Sequence, residues 1–390
     1  MSNTKVEKDA DMTGLKIFFD AYKYLSNCVK DSLKGLDREK LKSIFALLIE
    51  ARNTGSSTIV DGQGRSLESI LLAEECLEHN GFPIILPTKN ANLRPWRKDD
   101  VFIVNTGSGT GSPLAHAEAA QKEGLHVIFM SYNAQLLNTF PNVLVLKGSK
   151  NRNSLFAPLG TEFEITSAVT GVCIGHSVAD TPEESLANFE AAVQEILKLY
   201  EKSYEFYENC LDNLISFTDL ISQYIPADSR HKVYFRGVGG DEIINNVAAI
   251  RYGHLHKEPD KDLRVIYEGH WELRTDGDLA ILTSGSGATD QTLDYAMQAF
   301  ISGMKVFGIT SFEDSDLGRF CKRVNGCLIV PGRQEGYSMY NRPTRFRSNA
   351  LPLFELNCYL TLDALLAQIA ANHGIQEDDM KRSHRPKILE

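Results

Sequence analysis

The sequence shows few apolar runs, and none is expected to cross a membrane as a helix. Its longest, such as 101–104 and 279–282, are strand-length, far below the roughly 20 residues a bilayer requires. Cysteine is sparse and shows no pairing pattern. The seven (Cys28, Cys76, Cys173, Cys210, Cys321, Cys327, Cys358) are scattered and form no CxxC, which fits free thiols in a reducing compartment better than a disulfide scaffold. No HxxxH and no clustered Cys/His set occurs, so no metal is expected, nor any other cofactor. Positive charge is short as well: 41 Lys and Arg face 51 Asp and Glu, a formal charge of −10. That balance excludes a broad basic face for nucleic acid or an anionic membrane. The opening stretch MSNTKVEKDADM is charged and holds no apolar signal core, so the expected location is the cytoplasm.

What is present is enough for two cores. A chain of 390 residues, 43% of them hydrophobic, exceeds the size at which one domain usually stops growing. Residues 1–53 read as a helical lead-in, with Phe18, Tyr22, Leu25 and Val29, then Leu41, Ile44, Leu47 and Leu48 at helical spacing. Beyond it the chain repeats itself. A β-branched run at 57–60 ends in Gly62-Gln63-Gly64-Arg65-Ser66 and a helix. Residues 232–236 end in Gly237-Val238-Gly239-Gly240-Asp241 and another helix, 175 residues later. His79 and His254 keep the same offset. Strand candidates at 101–104 and 279–282 run into Thr106-Gly107-Ser108-Gly109-Thr110 and Ser284-Gly285-Ser286-Gly287-Ala288-Thr289, offset by 178. Helices and strands then recur in step, which indicates duplication.

Strands alternating with helices predict right-handed crossovers and a parallel sheet covered on both faces. The expected fold is α/β: two tandem doubly wound three-layer αβα domains, 54–205 and 206–390, dividing within the helical stretch 180–224. Glycine-rich turns after strands place free amides and hydroxyls at helix N-termini, where a small tetrahedral anion is held without lysine. The plain alternative for either loop is a tight turn. A dinucleotide site is not supported, since Leu67 and Glu242 stand where GxGxxG needs its third glycine, and no loop ends in GK[ST].

The order GxGRS, a histidine seventeen residues after its first glycine, a [ST]GSG loop, and then Pro158-Leu159-Gly160-Thr161-Glu162-Phe163-Glu164 resembles the 6-phospho-3-hexuloisomerase branch of the sugar isomerase (SIS) family. The tandem arrangement is similar to the isomerase part of glucosamine-6-phosphate synthase. The resemblance covers about residues 40–375; half two keeps the fuller loop and a late Leu351-Pro352-Leu353-Phe354-Glu355, but has Gly240-Asp241 for RS. In half one Gly111 stands where the family usually has threonine, which favours half two for the anion.

The resemblance implies an aldose–ketose isomerase of an anionic sugar acting through a cis-enediol. It places Gly62, Arg65, Ser66, Thr106, Ser108, Ser112, Ser284, Ser286 and Thr289 on the substrate and Glu164 or Glu355 as the proton-moving base. A carboxylate of raised pKa suits that task. His79, His254 and His270 are ring-opening candidates, Lys387 matches a tail that closes over such sites, and the arginine-bearing insertion 332–349 has no counterpart in half one. Because the loops hold no Lys or Arg, the anion is either phosphate or the singly charged sulfonate of a sulfosugar such as sulfoquinovose. A homodimer or larger assembly is implied, with no nucleic acid or membrane partner. A regulator that binds sugar phosphates without converting them is the rival reading.

Overall fold

Burial on both faces is what the apolar strand sequences demand, and two sheets of the same topology supply it. The computed structural model describes residues 14–85, 96–147, 153–225, 230–257, 265–266, 271–333 and 351–383. In half one the order is α1 (Lys16–Lys34), α2 (Arg38–Thr54), β1 (Thr58–Gly62), α3 (Arg65–His79), β2 (Ile84–Ile85), β3 (Val101–Asn105), α4 (Ser112–Lys122), β4 (His126–Ser131), β5 (Asn142–Val145), α5 (Thr161–Ser177) and α6 (Pro182–Tyr207). Half two continues with α7 (Leu211–Ser222), β6 (Val233–Arg236), α8 (Gly240–Gly253), β7 (Val265–Ile266), β8 (Leu279–Thr283), α9 (Asp290–Ile301), β9 (Lys305–Thr310), α10 (Asp316–Val324), β10 (Cys327–Ile329), α11 (Leu353–Asn372) and α12 (Glu377–Ser383).

The first sheet runs β2-β1-β3-β4-β5, the second β7-β6-β8-β9-β10, and all neighbours are parallel. Each strand order reverses beside β1 or β6, and that switch point opens a crevice at the carboxyl ends of the strands. Strands β1, β3 and β8 are buried at every position, as VFIVN and LAILT require. The loops after β3 and β8 turn through Gly109 and Gly287, at φ 65° and 63°. Only glycine takes that conformation without strain, and the match shows the duplicated turn kept its backbone.

Helices α5 and α11 lie at the centre. Contrary to the expectation from sequence, α11 is long and apolar enough to span a bilayer: scattered polar residues such as Asn357 and Asp363 break its apolar run, yet its mean hydropathy stays high. Of its apolar window, 94% is buried inside the fold, the place for a helix that is hydrophobic all round. The lead-in helix α1 packs on this second-half helix: the Tyr22 hydroxyl donates to Asn357 Oδ1 at 2.6 Å, and the Phe18 N–H donates to Gln368 Oε1 at 3.0 Å. One apolar cluster therefore runs through α1, α3, α5, α8 and α11, while two smaller ones fill the outer faces of the sheets. The halves share a core, so loss of either one exposes the other. All seven cysteines are free, five of them buried and Cys28 and Cys210 half-buried.

Candidate functional site

In both halves a phenylalanine ties the late glutamate to the glycine-rich loop. A methyl group built on Gly107 would lie 3.2 Å from Phe163 Cδ1, and one on Gly285 would lie 2.7 Å from Phe354 Cδ1. Glu164 and Glu355 follow these residues, each in the first turn of its helix.

The half-one glutamate belongs to a buried charge cluster assembled from both halves. Arg65, at the start of α3, lies 3.1 Å from Glu164 Oε2 and 2.6 Å from Asp363 Oδ2 on α11, with the Tyr359 and Thr161 hydroxyls at 3.4 and 3.3 Å. Burial pulls the guanidinium down, but Asp363 and then Glu164 outweigh it and hold it firmly charged. For Glu164 the balance goes the other way: burial dominates over Arg65, and the carboxyl is pushed up to about 7, with Asp363 and Glu162 raising it and Arg251 lowering it. A carboxyl near neutrality both accepts and returns a proton. The turn ahead of it is strained and pinned from the second half. Leu159 sits at φ 58°, unusual for a branched side chain, and its N–H donates to Glu377 Oε1 at 2.9 Å. The fully buried Arg251 of α8 donates to the Pro158 carbonyl at 3.3 Å.

The half-one loop offers hydroxyls of its own. Thr106 is buried, while Ser108, Thr110 and Ser112 are exposed, with Ser108 and Thr110 Oγ atoms 2.7 Å apart. Asn105 Nδ2 donates to the Ser66 carbonyl at 2.7 Å, tying the first glycine turn to this loop.

Half two differs in charge. Arg333 reaches the loop at Gly285 and pairs with Glu355. Asp241 lies on the loop itself, its Oδ2 accepting from the Gly285 N–H at 3.3 Å. The loop hydroxyls bond locally: Ser284 to Thr289 at 2.9 Å and to Ser286 at 3.4 Å, with the Gly287 and Ala288 amides donating to Ser284 and Ser286.

No family model matches the chain. Two curated proteins described only as uncharacterized are similar to part of it: one of Archaeoglobus fulgidus, 28% identical over 160 residues (40% of this chain, 81% of the relative), and one of Aeropyrum pernix, 29% over 162 residues (40% and 73%). Among solved structures, tagatose-6-phosphate ketose/aldose isomerase from Escherichia coli is similar over 93% of this chain and 94% of its own, with 15% identity and TM-score 0.59. The C-terminal domain of glucosamine-fructose-6-phosphate aminotransferase from Francisella tularensis matches over 93% and 96%, with 13% identity and TM-score 0.58. Glucosamine-6-phosphate deaminase from Thermotoga maritima matches over 97% and 98%, with 13% identity and TM-score 0.52. The chain has the tandem sugar isomerase fold.

Within the sugar isomerase fold, the residues singled out from sequence separate into groups. Gly62, Ser66 and Arg65 lie at the first turn, Thr106, Ser108 and Ser112 on the half-one loop, and Ser284, Ser286 and Thr289 on the half-two loop. Arg65, expected on the substrate, directs its guanidinium to Glu164 and Asp363. His79 ends α3 and His254 follows α8, so each is separated from the loop end of its own helix by about 20 Å of helix. His270, Lys387 and the insertion beyond Arg333 lie outside the described residues. Asp363, Arg251 and Tyr359 were missed because a charged or hydroxyl group inside an apolar helix carries no local pattern; only its burial in a shared core reveals it. The pair of Asp61 Oδ2 and His116 Nδ1, 2.8 Å apart at the end of β1, escaped because its members lie 55 residues apart in sequence and neither belongs to a motif.

Proposed function

We propose that the chain is an aldose–ketose isomerase of an anionic sugar, with Glu164 as the base that moves the proton between C1 and C2. The observation that carries this reading is the buried Glu164 carboxyl at the head of α5, brought near neutrality, whose neighbour Phe163 packs on Gly107 of the hydroxyl-bearing loop. Glu164 takes the proton from C2 of the open-chain aldose while O1 gains one. The resulting cis-enediol gives up the O2 proton and receives the first proton at C1. The known isomerases of this fold include one named for tagatose 6-phosphate, which supports a sugar phosphate as substrate. A sulfonated sugar remains the alternative, because no Lys or Arg lies on the loop. The testing experiment is an isomerisation assay over phosphorylated and sulfonated aldoses and ketoses; binding without conversion throughout would establish a regulator instead.

The fuller half-two loop favoured that half for the anion on sequence. In the fold, Asp241 sets a carboxyl against that loop, whereas in half one Arg65 and Arg251 balance Glu164 and Asp363. Thr106→Ala with Ser108→Ala should therefore raise KM for the sugar more than Ser284→Ala with Ser286→Ala at pH 8. Each lost charge-assisted hydrogen bond costs about 1.5–3 kcal/mol. The reverse order in steady-state kinetics would move the catalytic site to half two.

A base must be ionised to act, so activity should climb as pH rises through about 7, the value to which burial brings Glu164. Stability runs oppositely. The folded carboxyl holds its proton more tightly than the unfolded one, so its contribution is full below the ordinary carboxylate range and is lost as pH rises through about 7. Asp363→Asn removes a negative charge that raises Glu164, and should shift the acid limb of the rate profile to lower pH. An unmoved limb would show that another group titrates.

We also propose a homodimer or larger assembly, the arrangement in which His79 or His254 reaches a site. Light scattering on the active protein checks this, and a fully active monomer would remove both histidines from the mechanism.

A further inference from the structure

We propose that the outer face of the second half, centred on α9, is a docking surface for a second copy of this chain, packed across a two-fold axis with the two α9 helices antiparallel. Large apolar side chains exposed singly are ordinary on a protein surface, but a cluster of them marks a contact. Of the eight such side chains among the described residues, four belong to this face. Met297, Phe300 and Ile301 stand in the last two turns of α9, 49%, 49% and 76% exposed. Leu273, 53% exposed, sits between Trp271 and Arg274, whose side chains bond to Gln298 and Ser302 of the same helix. From α10, Phe320 meets the Phe300 ring edge-on, with centroids 5.7 Å apart.

The duplication supplies an internal control. α4 covers the first sheet as α9 covers the second, and the buried Ala117 and Ala120 lie 179 residues before the buried Ala296 and Ala299, which fixes the register. In that register Met297, Phe300 and Ile301 stand where half one has Glu118, Gln121 and Lys122, all exposed. The fold therefore does not require apolar residues at these positions.

The charges around the patch select the partner. Asp290 and Asp294 at the start of α9 and Arg323 at the end of α10 are exposed and make no ion pair among the described residues. α9 and α10 join parallel strands, β8 to β9 and β9 to β10, so they run in the same direction and finish at the same end of the sheet. Acidic groups thus lie at one end of the patch and Arg323 at the other. Turning a second copy through a half-circle about Met297 sets its Arg323 toward Asp294 and its Asp294 toward Arg323, the self-complementary pattern of an isologous contact. Three elements spaced about 8–10 Å apart over the ~18 Å length of α9 give a face of roughly 500 Å², at the small end of specific interfaces, so association should be reversible. α9 and α10 pack on the outer cluster, apart from the central one that holds α5 and Glu164, and the proposal does not rest on the isomerase reading.

The test is sedimentation equilibrium of the full chain across a micromolar concentration range. The wild type should associate reversibly, doubling its mass. Met297→Glu with Ile301→Lys, which restores the half-one residues on an exposed face, should weaken that step at least about a hundredfold. Asp294→Arg or Arg323→Asp alone should weaken it about tenfold at low salt. The two together should restore it, because across the two-fold axis the exchanged charges again meet their opposites. Met297→Cys should yield a covalent dimer under mild oxidation, while Glu118→Cys and the wild type should not. A wild type of constant mass, association unchanged by Met297→Glu with Ile301→Lys, a charge exchange that fails to rescue, or cross-linking no stronger through Met297→Cys than through Glu118→Cys would each overturn the proposal. Turnover is not read, so the result stands whatever the isomerase assay shows.

Discussion

Glu164→Gln should lower turnover by about 10²–10⁴-fold with substrate affinity little changed. The amide keeps the shape of the carboxyl and its contact with Arg65, but cannot accept the C2 proton. Glu355→Gln should leave turnover within about threefold of wild type if half one does the chemistry, because a group outside the reacting atoms contributes no transition-state proton transfer. Single-turnover rates and KM for both variants decide the assignment. A large loss in Glu355→Gln alone would transfer the base to half two.

Arg65→Met should destabilise the fold by about 3–5 kcal/mol at pH 8, the usual cost of stripping one partner from a buried ion pair. Arg65 is 6% exposed and joins Glu164 of half one to Asp363 of half two, so its loss leaves two buried carboxyls with Arg251 as the remaining neighbouring cation among the described residues. Glu164, pushed up to about 7 by burial, escapes the penalty by taking a proton. The loss measured by urea denaturation should therefore shrink toward pH 5, where that carboxyl is neutral. Equal loss at both pH values would mean that Arg65 acts through packing against Tyr359, over whose ring it lies at 5.9 Å, and not through its charge.

The fold was legible in the sequence because its signals are local and repeated. Apolar strands, glycine turns and helices returning at offsets of 175 and 178 residues can be read without knowing any contact. Both sheets follow, with ends that differ from the sequence reading by one or two residues: β1 spans Thr58–Gly62 where the pattern pointed to residues 57–60. β2 went unread because two residues carry no periodicity. α10 was hidden by its charged composition, DLGRFCKRV, which reads as a surface loop although Leu317, Gly318 and Cys321 are buried.

The candidate site was legible only where it is a motif. The loops and both glutamates stood out in sequence, but their environments come from distant segments: Asp363 lies 298 residues from Arg65, and Arg251 lies 93 residues from Pro158. Asp241 was visible as a departure from the half-one pattern. Its consequence needed the contact with the Gly285 amide.

The most direct test of the isomerase assignment is exchange of solvent deuterium into C2 of phosphorylated and sulfonated sugars, followed by NMR for wild type, Glu164→Gln and Glu355→Gln. Exchange by the wild type and by Glu355→Gln, with exchange abolished in Glu164→Gln, is the predicted result. Exchange that persists in Glu164→Gln, or its absence from the wild type across the whole panel, would contradict it.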